Sequence, residues 1–519
     1  MATPPKFEKR WLVLAVMCLV LFIISIDNTV LNLALPSIAN SFEASAGELQ
    51  WIVDAYTLVF ASLLITTGAV GDRYGRKRLL MAGLALFGIG SLGAALAVST
   101  QMLIGFRAEL GLAGAMIMPS TLSILTDVFR DPKERAKAIA IWSSIFSIGA
   151  GIGPIIGGLL INHFHWSSVF YLNLPIVAIC ITAGLLVVPE SNAESAPRPD
   201  IPGVLLSIVG LVALVFGMIH AGETSWSDAT TLLSFLVAAV FLGAFIWWEN
   251  RAKEPMLPLE FFKNRSFSGA NSSLTLSAFA MMGGMYFFSQ FFQTVRGYTP
   301  LVAALAMFPM TPAVFTATMF SLRVDRKIGT NRTMALGLLL SGAGLFFFSW
   351  AAAIDTPYFY VLLMQVLLGI GIGFTMSPAT NAIMSSLPRH RAGIGSAMND
   401  TTRQLGGALG IAVLGALMNG VYRVEVNQLS GMNGVSETLL AMVRGSVQNA
   451  HLAAQQLNGE LGAVVVRISS QAFVDGMREA MLIASGIMAL SALTAYLLVP
   501  PRVTRSEEIP LAEKSSAGD

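Results

Sequence analysis

The sequence predicts an all-α integral membrane protein with fourteen transmembrane helices and both termini in the cytoplasm. Of its 519 residues, 55% are hydrophobic and only 12% are charged, which is too little polar surface to cover a soluble domain of this size. Apolar runs long enough to cross a hydrocarbon core of about 30 Å recur along nearly the whole chain. We therefore expect a multi-pass protein of the cell membrane, in contact with lipid and with no nucleic-acid partner.

Six predicted spans precede a break in the hydrophobic pattern, at 11–36, 50–70, 79–99, 103–126, 138–162 and 168–188. The break runs from Pro189 to Asp200 (PESNAESAPRPD), and its polar, proline-rich composition is typical of a solvated linker. Eight further spans follow, at 201–221, 230–248, 267–292, 301–321, 333–353, 358–385, 393–418 and 480–499. Residues 419–474 are the one long loop, and both a contact with substrate or a partner and a self-packed insert remain open for it.

Positive charge orients these spans. Lys and Arg accumulate in the cytoplasmic loops of membrane proteins, and with the N-terminus inside, most of the 32 Lys and Arg residues fall in cytoplasmic segments. The long loop is then external. The first apolar run is too long for the apolar region of a signal peptide, and we interpret it as a retained span.

One acid, Asp27, lies within the first span, in the segment IDNTVLNLALP (Ile26 to Pro36). A carboxylate in hydrocarbon is costly unless it is paired, protonated or in contact with water, so it is a candidate functional group. At 1.5 Å per residue, Asp27 lies about 24 Å from the inner end of its helix. The sequence therefore predicts that Asp27 is the main proton-binding site and contacts cationic substrate.

Three more charged residues, Asp54, Arg107 and Glu109, lie about 4 to 6 residues inside the outer ends of their spans, at a depth similar to that of Asp27. An Arg at this depth needs a partner, so Asp54 and Arg107 are predicted to pair. Glu109 follows Arg107 by two residues and faces away from it. A coupling role and an interfacial or structural role remain open for Glu109 and for Asp54.

Asp400 and Arg403 are three residues apart in the thirteenth span, close enough on one helical face to pair. This spacing on its own favours a satisfied structural pair.

The cytoplasmic loop after the second span reads GAVGDRYGRKR, Gly68 to Arg78. Its glycines permit a tight turn and close helix packing, and Asp72 can bond a helix end or a neighbouring Arg. We expect a gate latch there, formed by Gly68, Asp72, Arg73, Gly75 and Arg76, although a basic loop that only sets topology is the alternative. A partial repeat of this motif, DRKIG (Asp325 to Gly329), follows the tenth span, as expected if the two halves of the chain are related.

The fifth span contains GAGIGPIIGG, a run that allows close backbone packing in a membrane and a bend at proline. Ordinary small-residue packing would explain the glycines alone, but it explains the G-P-x-x-G-G cluster less well, and a role in conformational change is the alternative. The candidate residues are Gly149, Gly153, Pro154, Gly157 and Gly158.

The segment MMGGMYFFSQFF, Met281 to Phe292, is rich in Met and aromatic residues. Such residues form adaptable walls that accept varied apolar cations, although a lipid-facing helix is the alternative. The candidate cavity residues are Tyr56, Met281, Met285, Tyr286, Phe288 and Phe292.

Together these features resemble the major facilitator superfamily, specifically its fourteen-span drug:proton antiporters of the QacA type. The resemblance rests on the segments above and on WIVDAY (Trp51 to Tyr56), GAMIMP (Gly114 to Pro119) and RQLGG (Arg403 to Gly407). It implies two six-helix bundles around a central cavity. It also implies a functional acid at or near Asp400, so a second site for a proton or cation is the alternative to a structural pair there. The implied domains are a bundle at 1–188, linkers with two inserted helices at 189–265, a bundle at 266–500 and a cytoplasmic tail at 501–519.

The implied function is proton-coupled multidrug efflux of lipophilic cations by a monomer, driven by the proton gradient without a cofactor. Some relatives carry an acid in the tenth span, which this chain lacks between Glu260 and Asp325, so monocations are the expected substrates. A proton-coupled exporter of an endogenous metabolite, antibiotic or lipid-like compound is the alternative, and a proton-coupled importer fits less well.

An enzyme is not expected, because the sequence has no H-E-x-x-H motif and no nucleophile elbow. No metal site is predicted, and Cys18 and Cys180 are interpreted as small buried hydrophobic residues.

Overall fold

The computed structural model describes residues 7–192, 200–253, 255, 259–386, 392–432, 434–457 and 459–501. Over these ranges the regular structure is helical, without a strand. Twelve helices are long and apolar enough to cross a membrane. These findings confirm the prediction of an all-α membrane protein.

The first half contains α1 (Phe7–Phe42), α2 (Ala46–Tyr74), α3 (Arg76–Ala95), α4 (Thr100–Val128), α5 (Pro132–His163), α6 (Ser168–Tyr171) and α7 (Asn173–Val187). Most of these helices extend beyond the predicted spans, because a helix continues into water where hydropathy no longer marks it. The sixth predicted span is divided at Leu172 into α6 and α7.

The rest of the chain contains α8 (Ile201–Glu223), α9 (Ala229–Glu249), α10 (Arg265–Gln290), α11 (Pro300–Met307), α12 (Met310–Ile328), α13 (Thr330–Ala351), α14 (Tyr358–Ser385), α15 (Ala392–Val426), α16 (Glu437–Gly445), α17 (Val447–Ala454) and α18 (Gly459–Leu498). Short irregular helical turns lie at Leu259–Lys263, Phe291–Val295 and Asn427–Leu429. The tenth predicted span is interrupted before Met310, where Pro309 has no N–H to continue the helical hydrogen bonds. The long loop predicted at 419–474 is shorter than expected, because α15 continues to Val426 and α18 begins at Gly459.

Two groups of helices pack mainly among themselves: α1 to α7 form an N-terminal bundle, and α10, α12 to α15 and α18 form a C-terminal bundle. Between α10 and α12 in the chain, α11 packs chiefly on α5 of the N-terminal bundle. The pair α8 and α9 packs on both, since α8 contacts α2 of one bundle and α15 of the other. Glu223, at the end of α8, accepts hydrogen bonds from Ser45 Oγ at 3.2 Å and from Gly47 N at 3.1 Å. The inserted hairpin is thereby attached to the first turn of α2.

The glycine run of the fifth span lets α5 lie directly on its neighbours. Gly149, Gly153 and Gly157 are spaced four apart and face α1: a Cβ at Gly149 would lie 2.7 Å from Ser25 Cβ, and one at Gly157 would lie 2.6 Å from Val30 Cγ1. On another face, a Cβ at Gly158 would lie 2.8 Å from the backbone of Leu301 in α11. Pro154 lies inside the helix.

This packing predicts an effect for the smallest substitution at the centre of the stripe, Gly153→Ala. A Cβ there would clash with Thr29 Oγ1, and overpacking of this kind costs about 1 to 3 kcal/mol. We expect the thermal unfolding midpoint of the purified protein to fall by several degrees. Gly105→Ala in α4 is the matched control, because nothing lies within 4 Å of a Cβ there; equal midpoints for the two variants would contradict the packing account.

The two bundles are joined at one end, where α1 turns into α2. Gln293 Nε2 donates to Leu33 O at 2.8 Å, and Tyr286 Oη donates to Ala46 O at 3.4 Å. Asn449 Nδ2 of α17 donates to Glu43 O at 2.9 Å, so the segment between α15 and α18 takes part in this contact. These hydrogen bonds hold the two bundles together at this end, which is therefore closed.

Candidate functional site

The most deeply buried ion pair of the described chain joins α1 and α4. Arg107 Nη1 donates to Asp27 Oδ2 at 2.8 Å, and the two side chains are 2% and 3% exposed. Arg107 Nε also donates to Ile52 O at 3.1 Å, and its guanidinium lies 4.4 Å from the centre of the Tyr56 ring. The positive charge is thus satisfied by a carboxylate, a carbonyl and an aromatic face.

The second carboxylate oxygen of Asp27 is also occupied. Asn173 Nδ2, in the first turn of α7, donates to Asp27 Oδ1 at 3.1 Å and to Ser91 Oγ of α3 at 3.0 Å. We call Asp27, Tyr56, Ser91, Arg107 and Asn173 the polar cluster of the N-terminal bundle. Both oxygens of Asp27 have protein donors in this state.

The predicted pairing of Arg107 with Asp54 is wrong, because Arg107 pairs with Asp27. The depths were estimated along each helix axis, but the axial position does not say which way a side chain faces. Ser91 and Asn173 were missed entirely, because a single Ser or Asn in an apolar helix gives no signal by itself.

Asp54 lies instead between the bundles. It shares one face of α2 with Gln50 and Leu58, at spacings of four residues. This face packs on α15: the Gln50 side chain lies against Gly415, and Leu58 packs in one apolar cluster with Ala408. Asp54 is 0% exposed. Neither of its carboxylate oxygens has a hydrogen-bond partner among the described residues, so a negative charge there is unfavourable in this closed arrangement.

The remaining predicted charges are less deeply buried. Glu109 is half-buried while Arg107 is 1% exposed, consistent with the opposite faces expected from their spacing. Arg403 Nη2 lies 3.5 Å from Asp400 Oδ1, with side chains 18% and 26% exposed. This pair forms as predicted, and its geometry fits either of the two roles considered for it.

The predicted latch makes all its described polar contacts within the N-terminal bundle. Asp72 Oδ1 accepts from Arg76 Nε at 2.7 Å, whereas Arg73 lies beside the Tyr74 ring. Gly75 has a φ of 120°, a conformation that glycine adopts readily. Gly68 faces Pro119 of α4.

Two of the six candidate cavity residues, Met285 and Phe288, line a cavity of about 20 Å³ in the C-terminal bundle, together with Met307, Met310, Met364, Gln365 and Leu368. This volume is room for one water at most. Tyr56, Tyr286 and Phe292 do not line it: they are buried in packing contacts with Arg107, Phe287 and Tyr298 respectively. Met281 is half-buried and packs on the core.

Across the described ranges, no group of three or more His, Cys, Asp or Glu side chains is placed to hold a metal ion.

Comparison with known proteins adds to this geometry. Residues 17–411 match the model of the Major Facilitator Superfamily. The multidrug efflux pump LfrA of Mycolicibacterium smegmatis is 36% identical over 424 residues, which cover 82% of this chain and 84% of that protein. The tetracenomycin C resistance and export protein of Streptomyces glaucescens is 31% identical over 98% of this chain and 96% of its own length.

Among solved structures, a bacterial homologue of the human lysosomal transporter Spinster, in an inward-facing and unoccupied conformation, superimposes with a TM-score of 0.67. The match covers 95% of this chain and 98% of that one at 18% identity. The relatives and the twelve apolar helices confirm the prediction of a multi-pass protein of the cell membrane that resembles drug efflux transporters.

Proposed function

The chain belongs to the Major Facilitator Superfamily, and we propose that it is a proton-coupled multidrug efflux antiporter whose substrates are lipophilic cations. The observation that carries this proposal is the buried Asp27–Arg107 pair, a charge pair that a single proton can change within the membrane. The helices α5 and α10 complete fourteen spans in this proposal. Both termini are cytoplasmic, so the closed end is external and the structure is inward-facing.

Protonation of Asp27 would alter the charge of the whole polar cluster. With Asp27 ionised, the pair with Arg107 is neutral. With Asp27 protonated, Arg107 keeps a positive charge that has lost its partner, and a second cation nearby is then repelled. Because both oxygens of Asp27 already have donors, we propose that proton and substrate compete through Arg107, in place of the direct contact expected from the sequence.

Asp54 supplies a second protonation step. Its carboxylate is buried between α2 and α15 without a hydrogen-bond partner among the described residues. The neutral acid is the form that tolerates this environment. A proton taken up by Asp54 at the external side would therefore favour closure of that end, and its loss would favour opening.

The Gly68 to Arg78 segment has the complementary role in this proposal. It holds no polar contact with the C-terminal bundle among the described residues, as a cytoplasmic latch should when the cytoplasmic end is open. The proposed drug-binding surface is the Met-rich lining around Met285 and Phe288. It must widen from about 20 Å³ before it accepts a dye.

The function is tested with the purified chain in liposomes. Ethidium should be transported when a pH gradient is imposed, and an uncoupler that collapses the gradient should stop the transport. Movement of ethidium that is indifferent to the gradient would contradict proton coupling. Transport of neutral or anionic compounds at the same rate as cations would contradict the substrate class.

The competition also predicts how affinity depends on pH. We expect the dissociation constant of ethidium to rise as pH falls, because protonation of Asp27 leaves Arg107 positively charged. If one proton competes, the dissociation constant rises by at most about tenfold for each unit by which the pH falls. Fluorescence titration of the purified protein measures it, with Asp475→Asn as control, since Asp475 belongs to a partly exposed pair with Arg478 at 3.5 Å. The control should keep the full slope, and a slope of zero in the unmodified protein would refute the competition.

A further inference from the structure

A cavity of about 570 Å³ opens where α12 turns into α13, at the end of the C-terminal bundle remote from the closed end. Three cationic side chains line it, those of Arg326, Lys327 and Arg332. None of the three forms an ion pair with another described residue. The cavity thus has an excess of positive charge, since Asp325 is the one acidic residue among its lining residues.

The turn between α2 and α3 in the N-terminal bundle corresponds to the turn between α12 and α13. Gly75 and Gly329, with φ of 120° and 94°, precede α3 and α13 respectively. The next N–H is bound in the same way in both halves: Arg76 N donates to Ser191 O at 2.9 Å, and Thr330 N donates to Pro501 O at 2.9 Å. In each half, the acceptor belongs to the segment that follows the last helix of the bundle.

The halves differ in the anion at this turn. In the N-terminal bundle, Glu190 lies beside this acceptor, accepts from Lys77 N at 3.0 Å and lies 3.6 Å from Arg78 Nε. Its carboxylate neutralises the start of α3 and the neighbouring cation. In the C-terminal bundle, Pro500 precedes the acceptor Pro501, and proline offers no anion. The 570 Å³ cavity lies at this turn.

We propose that the cavity binds a phosphate group from outside the chain, in the role that Glu190 has in the other half. The three cations outnumber the one carboxylate of the cavity and supply several charge-assisted donors to the oxygens of a phosphate. Asp325 also lines the cavity, and its Oδ1 has no hydrogen-bond partner among the described residues. A phosphate ester that carries hydroxyl groups, such as the glycerol headgroup of phosphatidylglycerol, offers anionic oxygens to the cations and hydroxyl donors to the Asp325 side chain.

The test uses the full-length purified protein with two probes, dioleoylphosphatidylglycerol and inorganic phosphate, followed by native mass spectrometry and by the thermal unfolding midpoint. We expect bound phosphate to raise the midpoint. Arg326→Gln/Lys327→Gln/Arg332→Gln should weaken binding by at least about tenfold, as expected for the loss of several charge-assisted hydrogen bonds. The matched control is Lys253→Gln/Lys263→Gln/Arg265→Gln, which removes three exposed cations that do not line the cavity and should leave binding unchanged.

A second variant tests the internal comparison directly. Pro501→Glu places a carboxylate at the cavity and should compete with the phosphate, so binding should weaken while the protein stays folded. Binding of the lipid alone identifies a headgroup as the source, and equal stabilisation by inorganic phosphate identifies a free anion. Absence of binding by both probes, or equal binding by the unmodified protein and the triple glutamine variant, would overturn the proposal.

Discussion

Asp27→Asn is expected to abolish proton-driven efflux and also to destabilise the protein. The substitution leaves Arg107, with a side chain only 2% exposed, without its carboxylate, and breaking a buried pair in this way costs about 3 to 5 kcal/mol. Adding Arg107→Gln removes the uncompensated charge. The double variant Asp27→Asn/Arg107→Gln should therefore recover much of the lost stability and none of the transport.

Thermal unfolding and ethidium transport in liposomes measure the two effects separately. Asp475→Asn, the same substitution in a partly exposed pair, should lower stability by about 1 kcal/mol at most and keep transport. Additive destabilisation by the two substitutions at Asp27 and Arg107 would show that the pair does not act as a unit. Full transport by Asp27→Asn would remove Asp27 from the coupling mechanism.

Asp54→Asn is expected to hold the external end closed. The amide carries no charge at any pH, so the variant loses the electrostatic cost that opens the interface between α2 and α15 when Asp54 is ionised. In the unmodified protein, the closed population should increase as pH falls. In the variant, it should be high and constant.

The distance between spin labels at Val98→Cys and Asp355→Cys reports the closed population, because both positions are exposed and follow helices of different bundles. Glu109→Gln is the matched control, since Glu109 lies at a similar depth but on a half-buried face of α4. The control should keep the pH response of the unmodified protein. An unchanged pH response in Asp54→Asn would show that another group controls closure.

Much of this architecture follows from sequence patterns that the membrane imposes. Hydropathy located most of the helices because lipid requires long apolar segments with internally paired backbones. Hydropathy does not locate the parts of helices that lie outside the lipid, because an apolar composition is not required there. An example is α18, which begins at Gly459, well before the predicted span at 480. Pro309 marks a division of the tenth span that a hydropathy window averages away.

The site was predicted less completely, for a geometric reason. Depth along a helix follows from counting residues, and it correctly grouped Asp27, Asp54 and Arg107 near one level. Rotation and tilt of each helix depend on packing, which is set by contacts such as Gly153 on Thr29. These decide that Arg107 meets Asp27 while Asp54 turns towards α15. The pair Asp400–Arg403 was predictable because both residues are on one helix, where spacing alone fixes the distance.

The central claim is that a cationic substrate and a proton exclude each other through the Asp27–Arg107 pair. The most direct measurement adds ethidium to the purified protein in weakly buffered solution, near the pH at which its affinity changes, and records the pH. We predict that the unmodified protein releases protons on binding and that Asp27→Asn/Arg107→Gln, which we expect to remain folded, releases none from this site. Undiminished proton release by the double variant would contradict the account.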